Sequence, residues 1–533
     1  MKILIITGQL ATPIIKENLK NYEKHDIYIK TLPMQIAAFI TVKQIKYYLD
    51  NEKILHSING CEDIIYTDVD MIITPGLIQE DVALLNELIS IETYKGPTNA
   101  ADIEFTLDII GDVELSTKKP ANILIRQRQY ERSMQLIEDA NNIEKHIELL
   151  KSSANTMIGN IPTGLDFPMR ILGEIANAPT LSDNELLDRV AYYIDSGADM
   201  IDVGLHAGGN DPEMAYHLVK TIKDNFNDDV TVSIDTLNPS EIKRALDAEA
   251  DLVLSLDHGN YMKIKDEIKA HNVKAVILPT NYSKNIIPKT PKEKIDSLNK
   301  LDMLCSDITT IADPLLDPIN SPSLSESIVT CYEYRRQNPE KLLFFGVGNV
   351  TELLDCDSNG ANAVLGGIAM ELGVSILFTP EASLKTKSSI CELKVASNMM
   401  YVAKEKNTIP KDVGINLIKY KDSYKKDDLQ IDTTDIPEIK AVADGKFIPD
   451  YKGSFKIIVE DNLIKAVLFK DYEKSAVITA TTAQAIYEEI LRRDLISRIE
   501  HAAYLGMELQ KAEYALKLKK QYIQDFPLFD WYL

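Results

Sequence analysis

The chain has little cysteine: Cys61, Cys305, Cys331, Cys356 and Cys391 are scattered over 533 residues. They form no CxxC pair and their number is odd, which excludes a disulfide framework and suits a reducing cytoplasm. No apolar run reaches the roughly 18 residues that a membrane-spanning helix requires, so no membrane partner is expected. Positive charge is also short, with 58 Lys and Arg against 81 Asp and Glu and a net charge of −23. A nucleic-acid backbone would be repelled, although a local pocket could still hold a small anion. Metal-ligand spacing is missing too: His206 and His258 belong to no chelating pattern, and no metal site is expected from side-chain spacing. Gly8 stands alone and makes no GxGxxG fingerprint. The opening MKILIITGQLATP lacks the longer apolar core and cleavage site of a signal peptide, and reads as a first strand.

What is present is a globular composition, 45% apolar and 26% charged, in a chain long enough for two to four domains. Residues 1–118 alternate short apolar strands (KILIIT, DIYIKTL, DMIITPG) with helical patterns, which predicts a small α/β domain of Rossmann or flavodoxin-like type with a parallel sheet. Residues 119–153 read as a helical connector. Residues 406–533 begin with a charged stretch, including KDSYKKDD as an exposed linker. They continue with GSFKIIVEDNLIKAVLFK, a β-hairpin turning at Glu460-Asp461-Asn462, and two helices, around 482–496 and 500–522. That part is expected to be a small α+β domain.

Between them, residues 154–405 carry eight apolar runs: TMIGNI, DMIDVG, VTVSID, DLVLSL, VKAVIL, DITTIAD, LLFFGVG and VSILFT. Helix starts are written between them. Ser182 with Glu185 makes a capping box, Asn238-Pro239 opens another helix, and Ser323 with Glu326 repeats the box. Eight strands over residues 156–379 fit a (β/α)8 TIM barrel, with a doubly wound open sheet as the alternative.

A barrel gathers its functional groups at the carboxyl ends of the strands. Read there, the sequence offers Asn160, Asp202, Asp235, Asp257, Asp313 and Asn349. Each is polar immediately after a run that should be buried, and a buried carboxylate needs donors or a cation. Any one of them could simply cap a helix or fix a turn; the set argues for a ligand. A flat heterocycle carrying amino and ring N–H groups would supply the donors.

At this point the residues resemble a family. MIGNIPTG (157–164), GADMIDVG (197–204), VSIDT (232–236) and IADP (311–314) look like the pterin-binding domain shared by dihydropteroate synthases and pterin-dependent corrinoid methyltransferases. The whole layout is similar to archaeal dihydropteroate synthase-related proteins. The resemblance implies that Asn160, Asp202, Asp235 and Asp313 bind the pterin, with Asp313 accepting two hydrogen bonds from the ring. At the fourth strand, LVLSLDHGN, it implies Asp257, with Ser255 as the alternative.

The later strands depart from the synthase pattern. FFGVGNVTELL lacks the serine-arginine-lysine cluster, and ILFTPEAS lacks the arginine and histidine. Asn349 instead looks like the methyltransferase asparagine near the ring's reactive nitrogen. Three expectations follow from the resemblance. The first is condensation of a dihydropterin-methyl diphosphate with an arylamine, in tetrahydromethanopterin or folate-like biosynthesis. It would need Mg²⁺ with the diphosphate, or Lys385 and Lys387 as an anion site. The second is methyl transfer from an N5-methyl pterin to a separate corrinoid protein, since no DxHxxG signature occurs in the chain. The third is a non-catalytic pterin-binding module. A cytoplasmic protein is expected in each case, with room for a homodimer.

Overall fold

The computed structural model describes the chain except residues 59, 99, 143, 145, 146, 227, 228, 412, 422–436, 443–447 and 530–533. All but the first residue of KDSYKKDD therefore lies outside the described residues. The chain divides into two compact units, Met1–Pro380 with Ser389–Thr434, and Glu381–Ser388 with Asp435–Leu533.

The first unit opens with β1 (Lys2–Thr7), β2 (Asp26–Thr31), β3 (Ile54–Ser57), β4 (Ile64–Ile65), β5 (Met71–Thr74) and β6 (Glu92–Lys95), in the order β4-β3-β2-β1-β5-β6. KILIIT is apolar at consecutive positions because β1 is central and covered on both faces, with Ile3 to Ile6 all buried. β1, β2, β5 and β6 are parallel, as expected. At one side of the sheet β3 and β4 are antiparallel to their neighbours, a direction that an apolar run does not encode. A 21-residue helix, Ala121–Asn141, follows.

The barrel is introduced by a hairpin, β7 (Asn155–Ile158) and β8 (Ile161–Gly164), paired only with each other. Its eight parallel strands are β9 (Arg170–Ile175), β10 (Met200–Gly204), β11 (Thr231–Asp235), β12 (Leu252–Leu256), β13 (Lys274–Ile277), β14 (Thr310–Ala312), β15 (Phe344–Gly346) and β16 (Ile376–Pro380). The sheet closes on itself where Ala312 bridges Leu343, its N–H donating to the Leu342 carbonyl at 2.9 Å. The fold is a TIM barrel. The sequence took TMIGNI as its first strand; the structure gives that place to RILGEI. TMIGNI instead lies at the amino end of the barrel, with Ile158 buried among Leu172, Met200, Leu252, Val276 and Phe344. Its Gly159 sits against Thr231 and Asp251, at the starts of β11 and β12.

RILGEI was hidden by its charges. Buried Arg170 is paired by three elements: Nε donates to the Pro162 carbonyl and Nη1 to Asn141 Oδ1, both at 2.7 Å, and Asp199 lies 3.9 Å away, while Nη2 meets no acceptor among the described residues. The expected helix starts are present. Ser182 and Glu185 form the full capping box, Asn238 caps the helix Pro239–Asp247, and Ser323 caps Leu324–Gln337.

The second unit contains β17 (Ser454–Glu460), β18 (Leu463–Lys470) and β19 (Glu473–Ala480), an antiparallel sheet with helices Ala483–Arg492 and Ile499–Leu518. Asp461 and Asn462, both at positive φ, make the tight turn of the expected hairpin. Phe455, Ile457, Ile464, Leu468, Ile486 and Leu509 form its own core. No helix among the described residues is long and apolar enough to cross a membrane.

Candidate functional site

Alternation along each strand decides which side chains enter the barrel. Leu172 and Met200 belong to the interior cluster, so Glu174 and Asp202, two residues on, face inward above them. The Ser233 hydroxyl donates to Asp202 Oδ1, which places Ser233 and, two residues later, Asp235 on the same face. Ile311 is interior, and Asp313 follows it. Four carboxylates therefore gather at the carboxyl ends of β9, β10, β11 and β14.

One carboxylate oxygen each from Glu174, Asp202 and Asp235 lies within 4.8 Å of the other two. Spacing of this kind suits a shared proton or a small cation. Asp202 is completely buried, and its Oδ2 meets no donor among the described residues. Burial and the charges of Asp235 and Glu174 push its pKa well above the carboxylate range. Burial, with Asp235 and Glu352 nearby, raises Glu174 to about 7, and burial raises Asp235 to about 6. Asp313 accepts from the Leu315 N–H at 2.8 Å, and Lys294 also favours its charge, yet burial still raises it to about 7. Lys294 is itself paired with Asp317 at 2.6 Å. The end of the barrel is thus rich in acceptors that lack donors.

The other residues expected here fall differently. Asn160 is exposed in the two-residue turn between β7 and β8, at the amino end of the barrel and away from the four carboxylates. Its position at a barrel strand's carboxyl end is corrected because TMIGNI is not a barrel strand. Asp257 does follow β12, but its oxygens are engaged in loop geometry. Oδ1 accepts from Gly259 N at 2.6 Å and Asn260 N at 3.1 Å, and Oδ2 from Tyr282 N at 2.6 Å. Ser255, the alternative, is buried within β12. Asn349 lies in the short helix Gly348–Thr351 after β15 and donates to the Leu316 carbonyl at 3.0 Å, beyond β14. Lys385 and Lys387 fall in Glu381–Ser388, which clusters with the second unit. His206 contacts Asn177 Oδ1 at 3.1 Å, and His258 is turned onto Ser297. Glu174 was missed with its strand; the signal that could have found it is its place in RILGEI, two residues after an interior leucine.

The family described as Pterin binding enzyme matches residues 175–305, and PterinBD-DUF4346 matches residues 449–525. An uncharacterized protein of Methanocaldococcus jannaschii, MJ0107, is 40% identical over 546 residues, covering 99% of each chain. Among solved structures, dihydropteroate synthase of Yersinia pestis is 14% identical, with 48% of this chain and 100% of that one covered and a TM-score of 0.37. The Thermus thermophilus synthase, solved in complex with 6HMPPP, is 16% identical, with 46% and 97% covered and a TM-score of 0.35. Matched from end to end, the chain belongs to one family with MJ0107, and within it residues 175–305, from β10 through β13, match the pterin binding enzyme family.

Proposed function

We propose that the carboxyl end of the barrel binds a reduced pterin as the substrate of a group transfer. One observation carries the reading: the inward carboxylates of Asp202, Asp235 and Asp313 hold oxygens with no donor among the described residues. The 2-amino and N3–H groups of a pterin offer two donors in one plane. A bidentate pairing with Asp313 or Asp235 offsets the desolvation of the carboxylate with charge-assisted hydrogen bonds. The family match across residues 175–305, which includes Asp202 and Asp235, supports the same ligand.

Two chemistries use such a ring. In the condensation, an arylamine attacks the methylene of a dihydropterin-methyl diphosphate and pyrophosphate leaves, as tetrahydromethanopterin biosynthesis requires. In the methyl transfer, an N5-methyl pterin gives its methyl to a corrinoid carried by a partner protein. The acidity of the barrel end favours the second. A diphosphate would face Glu174, Asp202, Asp235 and Asp313, and would need Mg²⁺ or lysines brought to it. An uncharged methyl pterin needs neither. A cytoplasmic location fits either substrate.

The test uses the full chain in two assays. Transfer of labelled methyl from methyl-tetrahydropterin to a cob(I)alamin protein supports the second chemistry. Release of pyrophosphate from the pterin diphosphate with an arylamine supports the first. Failure of any reduced pterin to bind in calorimetry rejects the site.

A further inference from the structure

With its carboxyl ionised, Glu174 gives the pocket a wall of hydrogen-bond acceptors. It stands at the end of β9 with its carboxylate among those of Asp202 on β10 and Asp235 on β11. Glu352, beyond β15, adds another negative charge, and the neighbour in register on β16 is Pro380, which has no charge and no N–H. The Tyr193 hydroxyl donates to the Glu174 backbone carbonyl at 3.1 Å, but no described side chain donates to its carboxylate. Space is reserved for it as well: a Cβ on Gly204 would come within 3.0 Å of Glu174 Oε1, so the adjacent strand carries no side chain there.

Such a wall distinguishes the oxidation states of a pterin. The unmethylated tetrahydro ring carries N–H groups at N5 and N8, and an N5-methyl ring keeps the one at N8. The fully oxidised ring has bare lone pairs at both positions. Against carboxylates the first finds acceptors. The second sets acceptor against acceptor in a site that excludes water, and a buried polar group without a partner is costly. A site built to pair an N–H rejects an analogue that lacks it far more strongly than a site that discriminates by size.

We propose that Glu174, backed by Asp202, is a specificity-determining residue that selects the tetrahydro ring over the fully oxidised one. The inference rests on the barrel end being the pterin site. Glutamine in its place keeps the shape but adds an amide N–H₂ that can donate to a bare ring nitrogen.

The experiment is anaerobic calorimetric titration of the full chain with tetrahydropterin and with oxidised pterin at about pH 8.5, above the value near 7 to which Glu174 is raised. The wild type is expected to hold the tetrahydro ring about tenfold more tightly or better. Glu174→Gln is expected to close most of that gap by strengthening binding of the oxidised ring. A gain of this kind does not arise from a merely weakened fold. If the wild type binds both rings equally, or Glu174→Gln keeps the full preference, the inference is overturned while the pterin site stands. If neither ring binds, the site and the inference fall together.

Discussion

Asp235 and Asp313 are the residues on which ligand and stability make opposite demands. Each is an acceptor held ready in a poorly solvated place, and a hydrogen bond to a charged group contributes about 1.5–3 kcal/mol. Asp235→Ala or Asp313→Ala should therefore weaken reduced-pterin binding by roughly ten- to a hundredfold, with the far-ultraviolet circular dichroism unchanged. Full affinity in both variants would remove the proposed site. The same burial has a cost without ligand. Asp235 is raised to about 6 and Asp313 to about 7, so the folded state binds more protons than the unfolded chain between the ordinary carboxylate range and those values. The sign follows: stability is greatest below that window and falls as pH rises through it. Asp313→Asn removes the titration and keeps the shape. Its melting temperature at about pH 8 should exceed the wild type's, and its slope from about pH 5 to 8 should be flatter. A lower melting temperature than wild type at both ends of that range would contradict the account.

At the scale of elements, what the sequence revealed and what it hid have separate causes. Seven of the eight barrel runs were legible because MIDVG, TVSID and the others end apolar stretches bounded by capped helices. The eighth was not, because β9 begins with buried Arg170 and carries Glu174, and only the folded arrangement supplies Asn141, Pro162 and Asp199 to pair with the arginine. TMIGNI took its place because a hairpin that packs under the barrel is as apolar as a strand within it. The site shared this fate: Asp202, Asp235 and Asp313 were readable as strand-end carboxylates, Glu174 vanished with its strand, and Asn160 was carried to the wrong end. Nor could spacing tell that Asp257 spends its oxygens on the N–H groups of Gly259, Asn260 and Tyr282. The correction has a measurable consequence. Ile158→Ala should lower the stability of the barrel by about 2–5 kcal/mol through a cavity in its lower layer. Asn160→Ala, in the exposed turn of the same hairpin, should leave reduced-pterin affinity within about twofold of wild type. A large loss of affinity in Asn160→Ala, measured by titration, would return that residue to the site.

The molecule as a whole has two compact units with separate hydrophobic cores. The interior of the barrel is built on Leu172, Met200, Leu252 and Phe344, and the second unit on Phe455, Ile457, Ile464 and Leu509. A ligand that binds a folded unit and not its unfolded chain stabilises that unit alone, by about 2.7 kcal/mol at a hundred times the dissociation constant. The four inward carboxylates all belong to the first unit. Differential scanning calorimetry of the full chain should therefore resolve two transitions, because units with separate cores need not unfold together. Saturating tetrahydropterin should move one of them upward by a few degrees and leave the other in place. The moving transition should carry the larger enthalpy, since the first unit holds most of the residues and enthalpy scales with chain length. In Asp313→Ala, with its weakened site, the same additions should shift neither transition appreciably. One transition that rises as a whole with ligand would mean that the cores melt together, and a shift confined to the smaller transition would place the ligand away from the barrel.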